Sequence, residues 1–322
     1  MKIIATGFGD SQVLQTVPTE DRPPGSGEVA IQVRAAGVNH RDHKVYEDPD
    51  YAARRGQDAT SFPLDLGVVA AGVVTAVGKD AFGPAGPIQV GDEVIAYRIS
   101  GAYADAIVVS ATAVVPKPTG LSWAQAASMM LVGTTAAHAL AAVRARPGQT
   151  LLVHAAAGRV GLSVVQLARL DGIRVIGTAS RKDFAALRRY DAIPVTYGDG
   201  LTERIAEAVP DGIDAALDLI GTDEAIDASL AVVADRSRIA TVVAFDRARE
   251  TGIQALGGSE GQDEWGIAVR DNARLRLIAL SQAGAWDNLV SDSFPLREAA
   301  AAHQLLAQGH AAGSVVLVVQ DL

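Results

Sequence analysis

From Thr150 to Phe245, short apolar runs and amphipathic stretches take turns with few residues between them. TLLVHAA, IRVIGTAS, PVTY, IDAALDLIG and RIATVVAF have the length and apolar continuity of strands covered on both faces. VGLSVVQLARL, RKDFAALRRY, LTERIAEAV and DEAIDASLAVVA lie between them with the period of helices that bury one face. Strands joined through helices pair in parallel by right-handed crossovers, so the pattern predicts an α/β, doubly wound parallel sheet.

The chain has 322 residues, more than one ordinary core, and its first part differs in kind. EVAIQVRAAGV alternates Val29, Ile31 and Val33 on one face, and further short strands follow, punctuated by Gly and Pro. Residues up to about Gly120 read as a mostly antiparallel β domain. An Ala-rich helix from Trp123 to Val143 follows, with Ser122 as its N-cap. After the alternating region come a helix in RDNARLRLIALSQAG and a second in FPLREAAAAHQLLAQGH, with Pro295 near its first turn. SVVLVVQ closes as a strand expected to return to the β domain. The predicted division is 1–120 with 267–322, and 121–266.

A net charge of -9 (37 acidic and 28 basic residues) argues against nucleic acid as a partner. The uncharged run Ala124–Val143 is long enough to span a membrane, but its Gln, Ser, Thr and His residues mark a buried helix instead. Cysteine is absent, which removes disulfides and thiolate ligands and fits a reducing cytoplasm. The amino-terminal apolar run is too short for a signal peptide.

LLVHAAAGRVGLSVVQLAR places Ala155, Gly158, Arg159, Val160 and Gly161 where a strand passes into a helix. Small residues there let the backbone approach a pyrophosphate and let the helix offer it free N–H groups, so a dinucleotide site is expected. Arg159 either meets the pyrophosphate or points to solvent. An NAD site wants a carboxylate about 20 residues further on. The second strand ends instead in Ser180, Arg181 and Lys182, with Asp183 after them. A hydroxyl and two cations suit a 2′-phosphate, which favours NADP(H); the alternative is a helix cap followed by exposed cations.

AAGVNHRD, FPLDLGVVAAGVVTAVG, VGDEVIAY, GAYADAIVV, VGTTAAHAL, VHAAAGRVG and GTASRK, closed by FPLREAAAAHQLLAQGHAAGSVVLVV, occur in the order of a known family. The chain resembles the zinc-free medium-chain dehydrogenase/reductases: the zeta-crystallin-like quinone oxidoreductases and enone reductases. The resemblance implies a discontinuous GroES-like antiparallel β catalytic domain, a Rossmann cofactor domain inserted in it, and an active cleft between the two. It also implies cofactor contacts from Thr135, from Tyr197 beside the 2′-phosphate, and from strand ends near Ala244, Phe245, Leu256, Gly257 and Gly258. Pairing through the cofactor domain is common in the family, and the apolar strand near Ile239–Phe245 would suit an edge contact in a homodimer. The departures are Val69 where relatives often carry an acid, Ala137 where tyrosine is common, and Asp191 in place of a helix-ending glycine.

AAGVNHRDHKVYEDPDY, residues 35–51, reads as a loop-like segment with two histidines around an aspartate. In zinc-dependent relatives this loop and a His-Glu pair supply ligands. Asn39 stands at the cysteine position, Val68 and Val69 replace the pair, and no metal is expected. Without a Lewis acid to hold an alkoxide, the reaction suits acceptors that are already electrophilic, such as quinones and α,β-unsaturated carbonyls. Asn39 and Tyr46 are the leading candidates to orient and protonate such an acceptor, followed by Asp42 and His43. Asp42 can equally serve a local hydrogen bond. Two other roles remain open: reduction of a particular biosynthetic enoyl intermediate, and NADPH binding by a regulator with little turnover.

Overall fold

The computed structural model describes residues 1–19, 22–257, 264–309 and 313–319. It divides into two compact units, 1–131 with 274–322 and 132–273. Both boundaries fall inside helices, Trp123–Ala142 and Glu264–Gln282, where composition gives no sign of a break. Ser122 starts the first of these helices as expected. Its hydroxyl accepts from Gln125 N–H (3.2 Å) and the Gln125 side chain accepts from Ser122 N–H (3.0 Å), a reciprocal cap.

The second unit holds a six-stranded parallel sheet in the order Ile193–Val195, Arg174–Thr178, Thr150–Val153, Ala215–Asp218, Ile239–Thr241, Gln254–Ala255. The order reverses between Thr150–Val153 and Ala215–Asp218, the usual place for a ligand at the carboxyl ends of a doubly wound sheet. Leu152, Ile176, Ala216 and Ile239 are fully buried in a core closed by Ile205 and Ile226 from flanking helices. Burying a side chain of this size contributes about 1.5–3 kcal/mol, which is why these runs carry no polar alternation. Ile239–Thr241 lies inside the sheet and Gln254–Ala255 covers it, so the edge contact expected of Ile239–Phe245 is not open.

The first unit is built on a seven-stranded sheet running Val114–Pro116, Glu93–Tyr97, Val69–Val77, Glu28–Val38, Ser314–Val318, Val290–Pro295, with Ala106–Ser110 also on Glu28–Val38. Ser314–Val318 pairs antiparallel with Glu28–Val38, Val315 opposite Val38, so the chain's two ends share one sheet. Val290–Pro295 is a strand parallel to Ser314–Val318, and Pro295 both ends it and caps the 3-10 turn Leu296–Glu298 that leads into the helix. The helix starts later, at Ala299–Ala307.

The segment expected as a loop is largely helical: His40–Glu47, then Pro49–Ala53. Asn39 precedes the first helix in an extended conformation. Asp191 takes a left-handed φ of +61°, as its helix-ending place requires. Among the described residues no helix is long and apolar enough to cross a membrane.

Candidate functional site

The four catalytic candidates of the first unit sit at or in the His40–Glu47 helix, and all four are buried. The Asp42 carboxylate Oδ2 accepts from Asn39 N–H at 2.8 Å and from the Tyr103 hydroxyl at 3.2 Å. With its hydrogen directed to Asp42, Tyr103 accepts from His303 Nε2–H at 3.0 Å. His303 Nδ1 then accepts from the Tyr46 hydroxyl at 2.7 Å. Each donor in this chain of bonds has one acceptor, so His303 is neutral and protonated on Nε2. Burial, with His43 adding repulsion, pushes the His303 imidazole down to about 3. Burial also raises the Asp42 carboxyl and the Tyr46 phenol above their usual ranges.

Tyr46 has no accessible surface, and its hydroxyl is engaged by a side chain 257 positions away. To give a proton to an acceptor it would first have to leave His303 and reach solvent. His43 is also closed off, with Nδ1 2.7 Å from Glu47 and Nε2 3.4 Å from His40 Nδ1. Asp42 holds the head of the helix, the local role anticipated as its alternative. Asn39 Nδ2 donates a long bond, 3.3 Å, to Gly37 O. The Tyr51 ring, from the next short helix, lies under the Arg55 guanidinium at 4.5 Å.

In the second unit the expected turn forms between Thr150–Val153 and the helix Arg159–Leu170. Ala155 takes a left-handed φ of +52° and Gly158 caps the helix. A Cβ on Gly161 would stand 2.4 Å from Ala155 O and 2.6 Å from Ala156 O, so only glycine lets this helix approach its strand. Arg159 and Val160, both half-buried, form the first helical turn, whose N–H groups have no partner within the helix. Thr135 is half-buried on its own long helix.

Strand Arg174–Thr178 ends at the Ser180 corner, and Ala179 N–H donates to Val195 O at 3.0 Å, which brings Tyr197 of the adjoining strand end alongside. Ser180 does not cap with its hydroxyl, which donates instead to Asp183 at 2.6 Å. Arg181 and Lys182 are exposed, and among the described residues no carboxylate pairs with either. Tyr197 is 60% exposed.

Sequence reasoning missed what sets the two inner strand ends. Asp218 is wholly buried; its Oδ1 accepts from Ile220 N–H (3.0 Å) and Gly221 N–H (2.9 Å), and its Oδ2 accepts from Thr241 Oγ1 (2.6 Å). Thr241 Oγ1 in turn accepts from Val243 and Ala244 N–H. Ala244 thus begins the helix Phe245–Thr251, and the strand expected to reach Phe245 stops at Thr241. Asp218, the second of two acids in the otherwise apolar run IDAALDLIG, was the available signal. Beside it His154 Nε2–H donates to Ser229 Oγ (3.0 Å), and burial pushes His154 down to about 4. Leu256 is buried, Gly257 has φ +103°, and Gly258 lies outside the described residues.

A mostly antiparallel β unit built from both chain ends, with a parallel nucleotide-binding sheet between them in sequence, defines an oxidoreductase of the medium-chain dehydrogenase/reductase class. Residues 25–119 match the alcohol dehydrogenase GroES-like domain, and residues 174–317 match the family described as zinc-binding dehydrogenase. The chain is 31% identical to the quinone oxidoreductase of Pseudomonas aeruginosa, over 98% of this chain and 99% of that protein. It superposes on Escherichia coli quinone oxidoreductase complexed with NADPH (TM-score 0.82, 25% identity, 98% and 99% coverage). It superposes on CurK enoyl reductase with TM-score 0.87 at 26% identity, covering 99% of both chains. It is also 32% identical, over 97% of its length, to erythronolide synthase EryA2 of Saccharopolyspora erythraea, but spans 8% of that protein. The chain belongs to the zinc-free quinone oxidoreductase family of medium-chain dehydrogenase/reductases. There is no cysteine, Val68 and Val69 are buried, and among the described residues no three His, Asp or Glu side chains group to hold an ion.

Proposed function

We propose that the chain is an NADPH-dependent, zinc-independent reductase that passes hydride to a quinone or an α,β-unsaturated carbonyl. The observation that carries this reading is the corner formed by Arg181, Lys182 and Tyr197 at two adjoining parallel strand ends, beyond the Gly158–Gly161 turn. Two cations that no described carboxylate pairs with, together with a phenol, suit a ribose 2′-phosphate, while the nearby acid, Asp183, is engaged by Ser180. NADPH, when bound, supplies the hydride.

The chain's own task is then to hold and orient. The first turn of helix Arg159–Leu170 receives the pyrophosphate, and Thr135, Ala244 and Phe245 flank the nicotinamide. Asn39 is the group retained for orienting the acceptor, since its long bond to Gly37 O can be exchanged for one to an acceptor oxygen. Tyr46 and Asp42 are joined through His303 and Tyr103, and His43 is held by Glu47 and His40, so in this reading the proton comes from water. Electrophilic acceptors suit such a site because conjugation, and not a metal, spreads the charge.

A second reading, reduction of a specific biosynthetic enoyl intermediate, is favoured by the likeness to CurK enoyl reductase over the full chain. Loss of NADPH absorbance with a panel of quinones, enones and enoyl thioesters tests both. Fast turnover of quinones or simple enones supports the first reading and of enoyl thioesters alone the second. Tight NADPH binding with no turnover on any of them sinks the enzyme reading.

A further inference from the structure

The turn that carries Tyr197 is held from behind by one side chain. Arg204, in the helix Leu201–Ala208, donates from Nε to Thr196 O at 3.0 Å, from Nη2 to Gly198 O at 2.7 Å and from Nη1 to Asp199 O at 2.6 Å. Three carbonyls on either side of Tyr197 thus converge on one guanidinium. The chain can present them together because Gly198 (φ +97°) and Gly200 (φ +78°) both take left-handed conformations. A planar fork with five donors fits such an arrangement, and a lysine ammonium does not.

Tyr197 itself is mostly exposed, so the packing of its ring does little to fix it. Its position is set by the backbone that Arg204 grips. The neighbouring strand end is tied to the same backbone by the bond from Ala179 N–H to Val195 O, and Ser180, Arg181 and Lys182 follow at once.

We propose that Arg204 is a positioning residue for cofactor choice: it fixes residues 196–200 so that Tyr197 stands beside the Ser180–Lys182 corner and completes a phosphate-recognising edge. The inference rests on the NADPH reading above and adds to it a residue that acts through the turn. Arg204 gives three of its N–H donors to carbonyls and acts on the 2′-phosphate through Tyr197. Its removal therefore weakens NADPH and leaves NADH, which has no 2′-phosphate, nearly untouched.

The test is cofactor binding, followed by nicotinamide fluorescence, for wild type, Arg204→Met, Arg204→Lys, Tyr197→Ala and the double variant Arg204→Met/Tyr197→Ala. Both Arg204 variants are expected to raise the NADPH Kd about tenfold, the scale of one well-placed hydrogen bond to a charged group, with NADH changed less than about twofold. In the Tyr197→Ala background, Arg204→Met is expected to add almost nothing. If Arg204→Met fails to fold, Arg204→Lys carries the test. Equal loss of both cofactors, full NADPH affinity in Arg204→Lys, or additive losses with Tyr197→Ala would each overturn the positioning role. Wild type binding NADH as tightly as NADPH overturns the cofactor reading itself. Wild-type preference that persists in both Arg204 variants overturns this inference alone.

Discussion

Two polar regions of the molecule are organised in opposite ways. Around the His40–Glu47 helix, Asn39, Asp42, Tyr46, Tyr103 and His303 are all buried and joined in one line of hydrogen bonds. Around Ser180–Lys182 and Tyr197, the cations and the phenol face solvent and the backbone beneath them is fixed. The first arrangement turns polar groups inward, where each must find a partner, and what it yields is a rigid helix start. The second leaves charge outward, where it contributes little to stability but is available to a ligand. Crowding of titratable side chains in the sequence thus does not tell an inward network from an outward edge; burial does.

The comparison breaks most visibly at His303. Replacing it with alanine removes a buried ring, orphans the Tyr46 hydroxyl and takes from Tyr103 the donor it accepts, a loss of roughly 4 kcal/mol. Urea denaturation reads this directly, and a loss below about 1 kcal/mol, the net value of one ordinary hydrogen bond, would mean the network is not closed as described.

Acid should act next most strongly. His303 and His154 are pushed down to about 3 and about 4, while an unfolded histidine titrates near 6.5. Below pH 6.5 the unfolded chain therefore binds more protons than the folded one, and stability falls as pH drops toward 4. Each group contributes up to about 1.4 kcal/mol per pH unit over that window. Asp42, raised by burial, acts in the opposite sense. Denaturation midpoints from pH 7 to pH 4.5 should fall steadily in wild type and less steeply in His154→Gln; identical slopes would count against a depressed His154.

Tyr46→Phe sharpens the comparison further. It deletes one bond to a neutral partner and should cost about 1 kcal/mol, read from the thermal midpoint. The same variant is central to the activity comparison below.

The inserted sheet was legible because parallel strands buried on both faces have no choice but continuous apolar runs, and the Gly158–Gly161 turn because close approach excludes side chains. SVVLVV was legible as a strand for the same reason. The His40–Glu47 helix was not: eight mostly polar residues are too few to form a helix alone, and Asp42 and the packing of Val45 and Tyr46 hold it. Strand Val290–Pro295 was hidden by its serines and by Pro295, which resembles a helix start as readily as a strand end. The His303 network joins residues 200 and 257 positions apart, and AAAAHQLLA carries no local trace of it. Arg204 was invisible for a related reason: its partners are backbone carbonyls, which every sequence has.

The most direct measurement is kcat/KM for NADPH with one fixed quinone, in Tyr46→Phe and in the double variant Arg181→Ala/Lys182→Ala, with NADH run in parallel. An inward network that only holds structure and an outward edge that recognises the cofactor predict Tyr46→Phe within about threefold of wild type. They predict the double variant down more than about tenfold with NADPH and unchanged with NADH, as expected for lost charge-assisted bonds to a phosphate. The opposite pattern, turnover abolished by Tyr46→Phe and NADPH preference intact without Arg181 and Lys182, would contradict the account.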